Sequence, residues 1–138
     1  MKVEKLDRVA MNVENLDKAI AFFSDLLGIT FDKLPSPPGM RSQVAISPAG
    51  LELLEMGLEA LNDQPPIQKE GIYCFHFKVD NLERAKAEMK KKGVRLIRDI
   101  TLGTLKEAVF CRDDLHGAVI VLVEYTKPKV IEAIRERA

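Results

Sequence analysis

The sequence has no tryptophan and only two cysteines among its 138 residues. Cys74 and Cys111 lie in different segments and form no CxxC spacing, which argues against a disulfide framework or a zinc knuckle. No apolar run approaches the roughly 20 residues that span a bilayer, and the charged start MKVEKLDR does not resemble a signal peptide. We therefore expect two unbridged thiols in a cytoplasmic protein that has no membrane partner.

The chain also lacks an excess of charge of either sign. Its 21 lysines and arginines are balanced by 21 aspartates and glutamates, so nothing electrostatic favours nucleic acid as a partner. The length fits a single domain, which we place at residues 1–138. We expect the partner to be a small molecule or a second copy of the chain.

The sequence contains an internal repeat. Residues 13–19, VENLDKA, match residues 79–85, VDNLERA, and each stretch follows a segment of alternating residue types. The alternation predicts a strand, after which Asn15 or Asn81 caps an amphipathic helix. Because strand signals recur after both helices, the pattern predicts an α+β fold made of two βαβββ modules.

The modules are expected at about residues 5–56 and 71–126, with a linker at 57–70 between them and a C-terminal helix at 129–138. Residues 35–39, PSPPG, predict a loop because proline interrupts regular structure. The strands predicted after the two helices are residues 29–34, 41–47 and 51–55 in the first module and residues 94–97, 108–111 and 118–125 in the second.

The first strand of each module has one apolar and one polar face. The apolar faces, which we expect to pack against the helices, consist of Val9, Met11 and Val13 and of their counterparts Phe75, Phe77 and Val79. The opposite faces consist of Arg8, Ala10 and Asn12 in the first module and Cys74, His76 and Lys78 in the second. A polar face of this kind needs a ligand, water or a partner to satisfy its hydrogen bonds.

The repeated βαβββ unit, with VENLDKA at its first turn, resembles the vicinal oxygen chelate superfamily, which includes glyoxalase I, bleomycin-resistance proteins and extradiol dioxygenases. Within that superfamily, the segments KKKGVRLI and HGAVIVLVEY are most similar to those of methylmalonyl-CoA epimerases. The resemblance implies a cupped mixed sheet around a central cleft and a homodimer.

The resemblance also implies four metal-ligand positions, which fall on Arg8, Glu52, Cys74 and Val121. Only Glu52 keeps the residue type of the family pattern. An arginine cannot donate a lone pair, and a valine has no ligand atom. We therefore expect no metal cofactor; the alternative is a divalent ion (Zn, Ni, Co, Mn or Fe) recruited through Glu52, Cys74 and His76.

The candidate ligand-binding residues are Arg8, Glu52, Cys74, His76 and Val121. Arg8 either forms a structural ion pair with Glu52 or binds the carboxylate or phosphate of a ligand. Cys74 is either a small buried residue or, beside a cation, a reactive thiolate. His76 and Glu52 are the candidate catalytic acid-base groups, although a lone histidine on a strand is often a hydrogen-bonded core residue.

These residues favour a protein that binds a small, anionic organic ligand without a metal, as the resemblance to bleomycin-resistance proteins implies. The alternative is a lyase or isomerase, glyoxalase-like or epimerase-like, that uses Glu52, His76 or Cys74 with or without a divalent metal. Epimerase chemistry in the family also needs a carboxylate near Gly39 and Met40, where this sequence has no acid. A third hypothesis is a cup that self-association closes and that holds no ligand.

Overall fold

The structure is a computed structural model that describes residues 1–35, 42–55 and 63–136. Its elements follow the order β1 (Val3–Asn12), α1 (Leu16–Leu27), β2 (Asp32–Leu34), β3 (Gln43–Ile46), β4 (Leu51–Glu55), β5 (Gly71–Val79), α2 (Leu82–Lys91), β6 (Leu96–Leu102), β7 (Leu105–Phe110), β8 (Val119–Glu124) and α3 (Val130–Arg135). Strand, helix and three strands therefore occur twice, which confirms the predicted α+β class and its two βαβββ modules.

Several sequence predictions fall wholly or partly outside the described residues. They are the loop at 35–39, the position near Gly39 and Met40, the strand at 41–47, the end of the first module at residue 56, the linker at 57–70 and the C-terminal helix at 129–138. The described remainder of the linker, residues 63–70, consists of turns and bends, as the two prolines in it predict. The terminal helix α3 is shorter than the predicted segment 129–138.

The chain divides into two compact units, Arg8–Tyr73 and the combination of Met1–Asp7 with Cys74–Ala138. Each unit contains the helix and the three following strands of one module. The two units are described separately below as the first unit and the second unit.

In the first unit, β1 pairs with β4 in parallel, while β4 with β3 and β3 with β2 are antiparallel. Helix α1 packs on one face of these strands, around a core of Val13, Leu16, Ala45 and Leu53. The helix begins where the Asn15 side chain accepts a hydrogen bond from the Lys18 backbone N–H at 2.9 Å, and it ends at Gly28, whose φ is +64°.

The last turn of α1 is largely exposed. Leu26 and Leu27 continue the helical spacing of apolar residues, but their side chains are 61% and 55% exposed. The strands under α1 are short, so its C-terminal turn extends beyond the residues that form the core.

In the second unit, β5 pairs with β8 in parallel, while β8 with β7 and β7 with β6 are antiparallel. Helix α2 begins at the predicted cap, where Asn81 accepts a hydrogen bond from the Arg84 N–H. Its predicted apolar positions Leu82, Ala85 and Met89 are all buried in the core.

The strands β6 and β7 differ most from the sequence prediction. β6 begins at Leu96 and continues to Leu102, beyond the predicted end at residue 97. β7 begins at Leu105 and not at residue 108, so it includes Glu107. These two strands form an antiparallel hairpin around Gly103, and cross-strand pairing extends each beyond its own apolar residues.

The strand registers place equivalent residues of the two modules at equivalent positions. In the first unit Ala10 on β1 is paired with Glu52 on β4, and in the second unit His76 on β5 is paired with Val121 on β8. Glu52 on β4 and Val121 on β8 therefore lie on the same face as the polar residues of the first strand of their module.

Candidate functional sites

A buried ion pair occupies the polar face of the first unit. Arg8 Nε donates a hydrogen bond to Glu52 Oε1 at 2.7 Å, and the two side chains are only 3% and 6% exposed. Glu52 lies opposite Ala10, and Arg8 is two residues earlier on the same face of β1. The methyl side chain of Ala10 leaves room for the two long side chains to meet above it.

The burial of Arg8 and Glu52 determines the electrostatics of this site. Removing each charge from water costs several kcal/mol, and the short charge-assisted hydrogen bond offsets part of that cost. Glu52 therefore holds the guanidinium in one orientation. Both readings of Arg8, as a structural ion pair and as an anion-binding group, are compatible with this geometry.

Asn12, the last residue of β1 on this face, has a structural contact. Its Nδ2 donates to the backbone oxygen of Lys69 at 2.6 Å, and it thereby attaches the segment after Pro66 to the sheet. An open cavity of about 500 Å³ lies beside this contact, and its lining includes Glu55, Pro65 and Lys69.

The polar face of the second unit contains a line of three buried groups. Cys74 Sγ lies 4.0 Å from His76 Nδ1, and His76 Nε2 lies 3.7 Å from Glu107 Oε2. Cys74 and His76 are each 3% exposed and Glu107 is 5% exposed. The imidazole therefore lies between a thiol and a carboxylate.

Val121 explains how Glu107 reaches the histidine from two strands away. It is paired with His76 on one side and with Val109 on the other, and it is 4% exposed. Glu107 lies two residues from Val109 on the same face and is paired with Val123, so its side chain crosses β8 diagonally to reach His76.

The sequence reasoning missed Glu107 because it began the strand at residue 108. A signal was present, since Leu105, Glu107 and Val109 share one parity of an alternating segment. Extending the strand by three residues would have placed Glu107 on the face of Val109.

Lys78, the last polar residue of β5 on this face, is engaged elsewhere. Its ammonium lies 4.2 Å from the centre of the Tyr125 ring and 3.5 Å from Glu4 Oε2. The Tyr125 hydroxyl in turn donates to Asp7 at 2.5 Å. These contacts hold the start of β1 against β5 and Tyr125 within the second unit, and they leave Cys74, His76 and Glu107 as its candidate chemical group.

Cys111 and His116 lie on either side of the short 3₁₀ helix Arg112–Asp114, which connects β7 to β8. His116 is exposed in the turn after this helix and has a φ of +56°. Neither cysteine is in a disulfide, which confirms that prediction.

Within residues 1–35, 42–55 and 63–136, no three His, Cys, Asp or Glu side chains are arranged to hold a metal ion. No helix in that part of the chain is long and apolar enough to cross a bilayer.

Known proteins resemble the chain in sequence and in fold. It is 30% identical over 132 residues to the mitochondrial methylmalonyl-CoA epimerase of Mus musculus, covering 89% of this chain and 74% of the relative. It is 25% identical over 153 residues to the lactoylglutathione lyase of Schizosaccharomyces pombe, covering 94% of this chain and 51% of the relative. A Streptomyces coelicolor methylmalonyl-CoA epimerase variant in complex with 2-nitronate-propionyl-CoA has the same fold, with a TM-score of 0.75, 18% identity and coverage of 91% of this chain and 100% of that one.

A family model identifies the superfamily of this chain. The model of the Glyoxalase/Bleomycin resistance protein/Dioxygenase superfamily matches residues 5–122, which include both βαβββ modules almost completely. The chain belongs to the glyoxalase/bleomycin resistance protein/dioxygenase superfamily.

Proposed function

We propose that the chain binds a small anionic organic molecule through Arg8, without a divalent metal. The observation that carries the proposal is the buried hydrogen bond from Arg8 Nε to Glu52 Oε1, which fixes a guanidinium at the first metal-ligand position of the family pattern. Arginine binds carboxylates and phosphates through paired N–H groups, and a fixed guanidinium loses little conformational entropy on binding. Glu52 holds this guanidinium through Nε, and the anion of the ligand would bind to the same guanidinium.

The side chains at the four family positions do not fit a divalent ion. Arg8 is a permanent cation, and Val121 has no donor atom. Glu52 already accepts from Arg8, so the thiol of Cys74 is left as the other donor. Two donors are fewer than the three or four protein ligands of usual sites, and we therefore assign no step to a metal.

The relatives narrow the chemical class of the ligand. Two of them are named for methylmalonyl-CoA, and one is in complex with 2-nitronate-propionyl-CoA, an acyl thioester that carries an anionic group. For this chain we propose an organic acid or its CoA thioester, with the anionic group of the acyl part on Arg8.

The experiment is isothermal titration calorimetry with methylmalonyl-CoA and with methylmalonate. Binding should weaken at least about tenfold in Arg8→Gln, because one charge-assisted contact is lost. Arg8→Lys should weaken binding less, because lysine keeps the charge but not the planar arrangement of N–H groups. The double variant Arg8→Gln with Glu52→Gln controls for the carboxylate that the single variant leaves buried. Lys33→Gln, which removes an exposed cation paired with Asp17, should bind like the wild type.

Two results would contradict the binding proposal. Wild-type affinity in the double variant would show that Arg8 is not the anion site. A stoichiometric divalent ion in protein purified without chelator, whose removal abolishes binding, would show that the ligand binds through a metal.

The second candidate function is catalysis by a lyase or isomerase that uses Glu52, His76 or Cys74. The specific observation that favours it is the contact of His76 Nε2 with Glu107 Oε2 at 3.7 Å, because a carboxylate beside an imidazole supports proton transfer. Incubation with methylmalonyl-CoA in D₂O tests it by mass spectrometry. Deuterium uptake at the carbon alpha to the thioester carbonyl that is absent in His76→Gln would favour the enzyme over the binding protein.

We also propose that the chain is a cytoplasmic homodimer, as the family resemblance implies. Light scattering of the purified protein measures the oligomeric state, since a dimer has twice the 15.5 kDa mass of the chain. A monomeric mass at all concentrations would contradict the proposal.

A further inference from the structure

We propose that Cys74, His76 and Glu107 form a thiol, imidazole and carboxylate relay in which Cys74 is a nucleophile that accepts an acyl group from a thioester. The choice of a thioester rests on the proposed function. The relay itself rests only on the geometry of the second unit.

The three groups are arranged in the order that nucleophilic catalysis requires. The two ring nitrogens of His76 have different neighbours, with Nδ1 4.0 Å from Cys74 Sγ and Nε2 3.7 Å from Glu107 Oε2. A carboxylate beside Nε2 favours the tautomer with the proton on Nε2, and Nδ1 can then accept the thiol proton. These distances are longer than closed hydrogen bonds, as is common for nucleophile and base pairs before a substrate binds.

The apolar surroundings of Cys74 mean that its thiol needs a nearby base in order to react. The nearest residues of β8 and β7 on this face are apolar: Val119, Val121 and Val109. An apolar setting alone keeps a thiol protonated and inert. Two charged groups lie on the same face as Cys74. Glu107 on β7 contacts His76, while Lys78 on β5 contacts Glu4 and Tyr125.

The chemical step balances without an oxidant or a further reactant. The proton of the Cys74 thiol moves to His76 Nδ1 as Sγ attacks the carbonyl carbon of the thioester. The new bond joins Sγ to the acyl carbon, and the bond from that carbon to the departing sulfur breaks. His76 returns its proton to the departing thiolate, so an acylated Cys74 and a free thiol such as coenzyme A are the products. Glu107 positions the imidazole and stabilises its charged form.

The chain provides a matched control in its other cysteine. Cys111 is 7% exposed against 3% for Cys74 and belongs to the same unit, so burial alone predicts similar or faster reaction at Cys111. Trypsin releases the two thiols in separate peptides, residues 70–78 and 107–112, which mass spectrometry distinguishes.

The first experiment is alkylation of the full-length folded protein with iodoacetamide across a pH series. Cys74 should react at least about tenfold faster than Cys111 near neutral pH. His76→Gln should reduce the Cys74 rate to that of Cys111, and Glu107→Gln should shift the pH midpoint of the Cys74 rate. An unchanged Cys111 rate in each variant shows that the fold is retained. Equal rates at both cysteines in the wild type, or a Cys74 pH profile that neither substitution alters, would overturn the relay.

The second experiment tests the acyl transfer with methylmalonyl-CoA as the probe. We expect an acyl adduct on Cys74 that neutral hydroxylamine releases and that is absent in Cys74→Ser. A protein that binds methylmalonyl-CoA in calorimetry but forms no adduct would overturn the transfer step and leave the binding proposal intact. An adduct in a protein whose binding does not depend on Arg8 would overturn the binding proposal and leave the transfer step intact.

Discussion

The buried pair of Arg8 and Glu52 allows a quantitative test of what holds the first unit together. We consider Glu52→Leu and Arg8→Met, each of which replaces one charge with an apolar side chain of similar size. The exposures of 3% and 6% mean that water does not screen the charge that remains. Breaking a buried pair in this way costs about 3–5 kcal/mol of the free energy of unfolding, which lowers Tm by roughly 10–20 °C for a chain of this size.

The double variant distinguishes the ion pair from two independent contributions. With both charges replaced, no unpaired ion remains, and the loss should fall to within about 2 kcal/mol of the wild type. The sum of the two single losses would instead be about 6–10 kcal/mol, so the coupling energy should be several kcal/mol. Urea unfolding followed by circular dichroism measures all four free energies.

An exposed pair of the same unit provides the control. Lys33 Nζ lies 2.9 Å from Asp17 Oδ1, nearly as close as the buried pair, but the two side chains are 53% and 77% exposed. Lys33→Met should therefore cost less than about 1 kcal/mol. If the double variant of Arg8 and Glu52 lost the full sum of the single losses, the two residues would act independently, and burial would not be the reason for their effect.

Two further predictions concern the second unit. A Cβ at Gly103, whose φ is +59°, would collide with backbone oxygens at the end of α3, so Gly103→Ala should cost roughly 3 kcal/mol or more. Gly93→Ala, at a φ of +82° but with no described heavy atom within 4 Å of the new Cβ, should cost only about 1–2 kcal/mol; equal urea midpoints for the two variants would contradict this. The guanidinium and the backbone N–H of Arg95 donate hydrogen bonds to Asp114 and lower the pKa of its carboxyl group. The ionised carboxylate therefore stabilises the fold above its unfolded-state pKa, and this stabilisation is lost as pH falls through the folded-state pKa. Asp114→Asn should therefore be less stable than the wild type near pH 7 and equally stable near pH 2, and a constant difference in urea unfolding at both values would count against it.

The elements that local chemistry specifies were predictable from the sequence. Asn15 and Asn81 begin the helices that they were expected to cap, because an N-cap side chain bonds within its own turn. The alternation along β1 and β5 assigned the polar faces correctly, since the period of a strand fixes which residues share a side. The internal repeat then predicted the second module from the first.

What the sequence did not reveal depends on pairing between distant segments. Glu107 was missed because the extent of β7 is set by its partners β6 and β8 and not by its own composition. The exposure of Leu26 and Leu27 could not be predicted from their helical spacing, because that spacing does not tell where the supporting strands end. The 2.7 Å contact between Arg8 and Glu52 required the parallel register of β1 and β4, which no local pattern specifies.

The side chain at position 121 makes the present arrangement difficult to reverse. Restoring the family's acid through Val121→Glu would insert a second carboxylate into the path by which Glu107 crosses β8. Two acids so close in an apolar environment repel each other, and one of them would have to take up a proton. Val121→Glu alone would therefore not provide a second ionised carboxylate at this position while Glu107 is present.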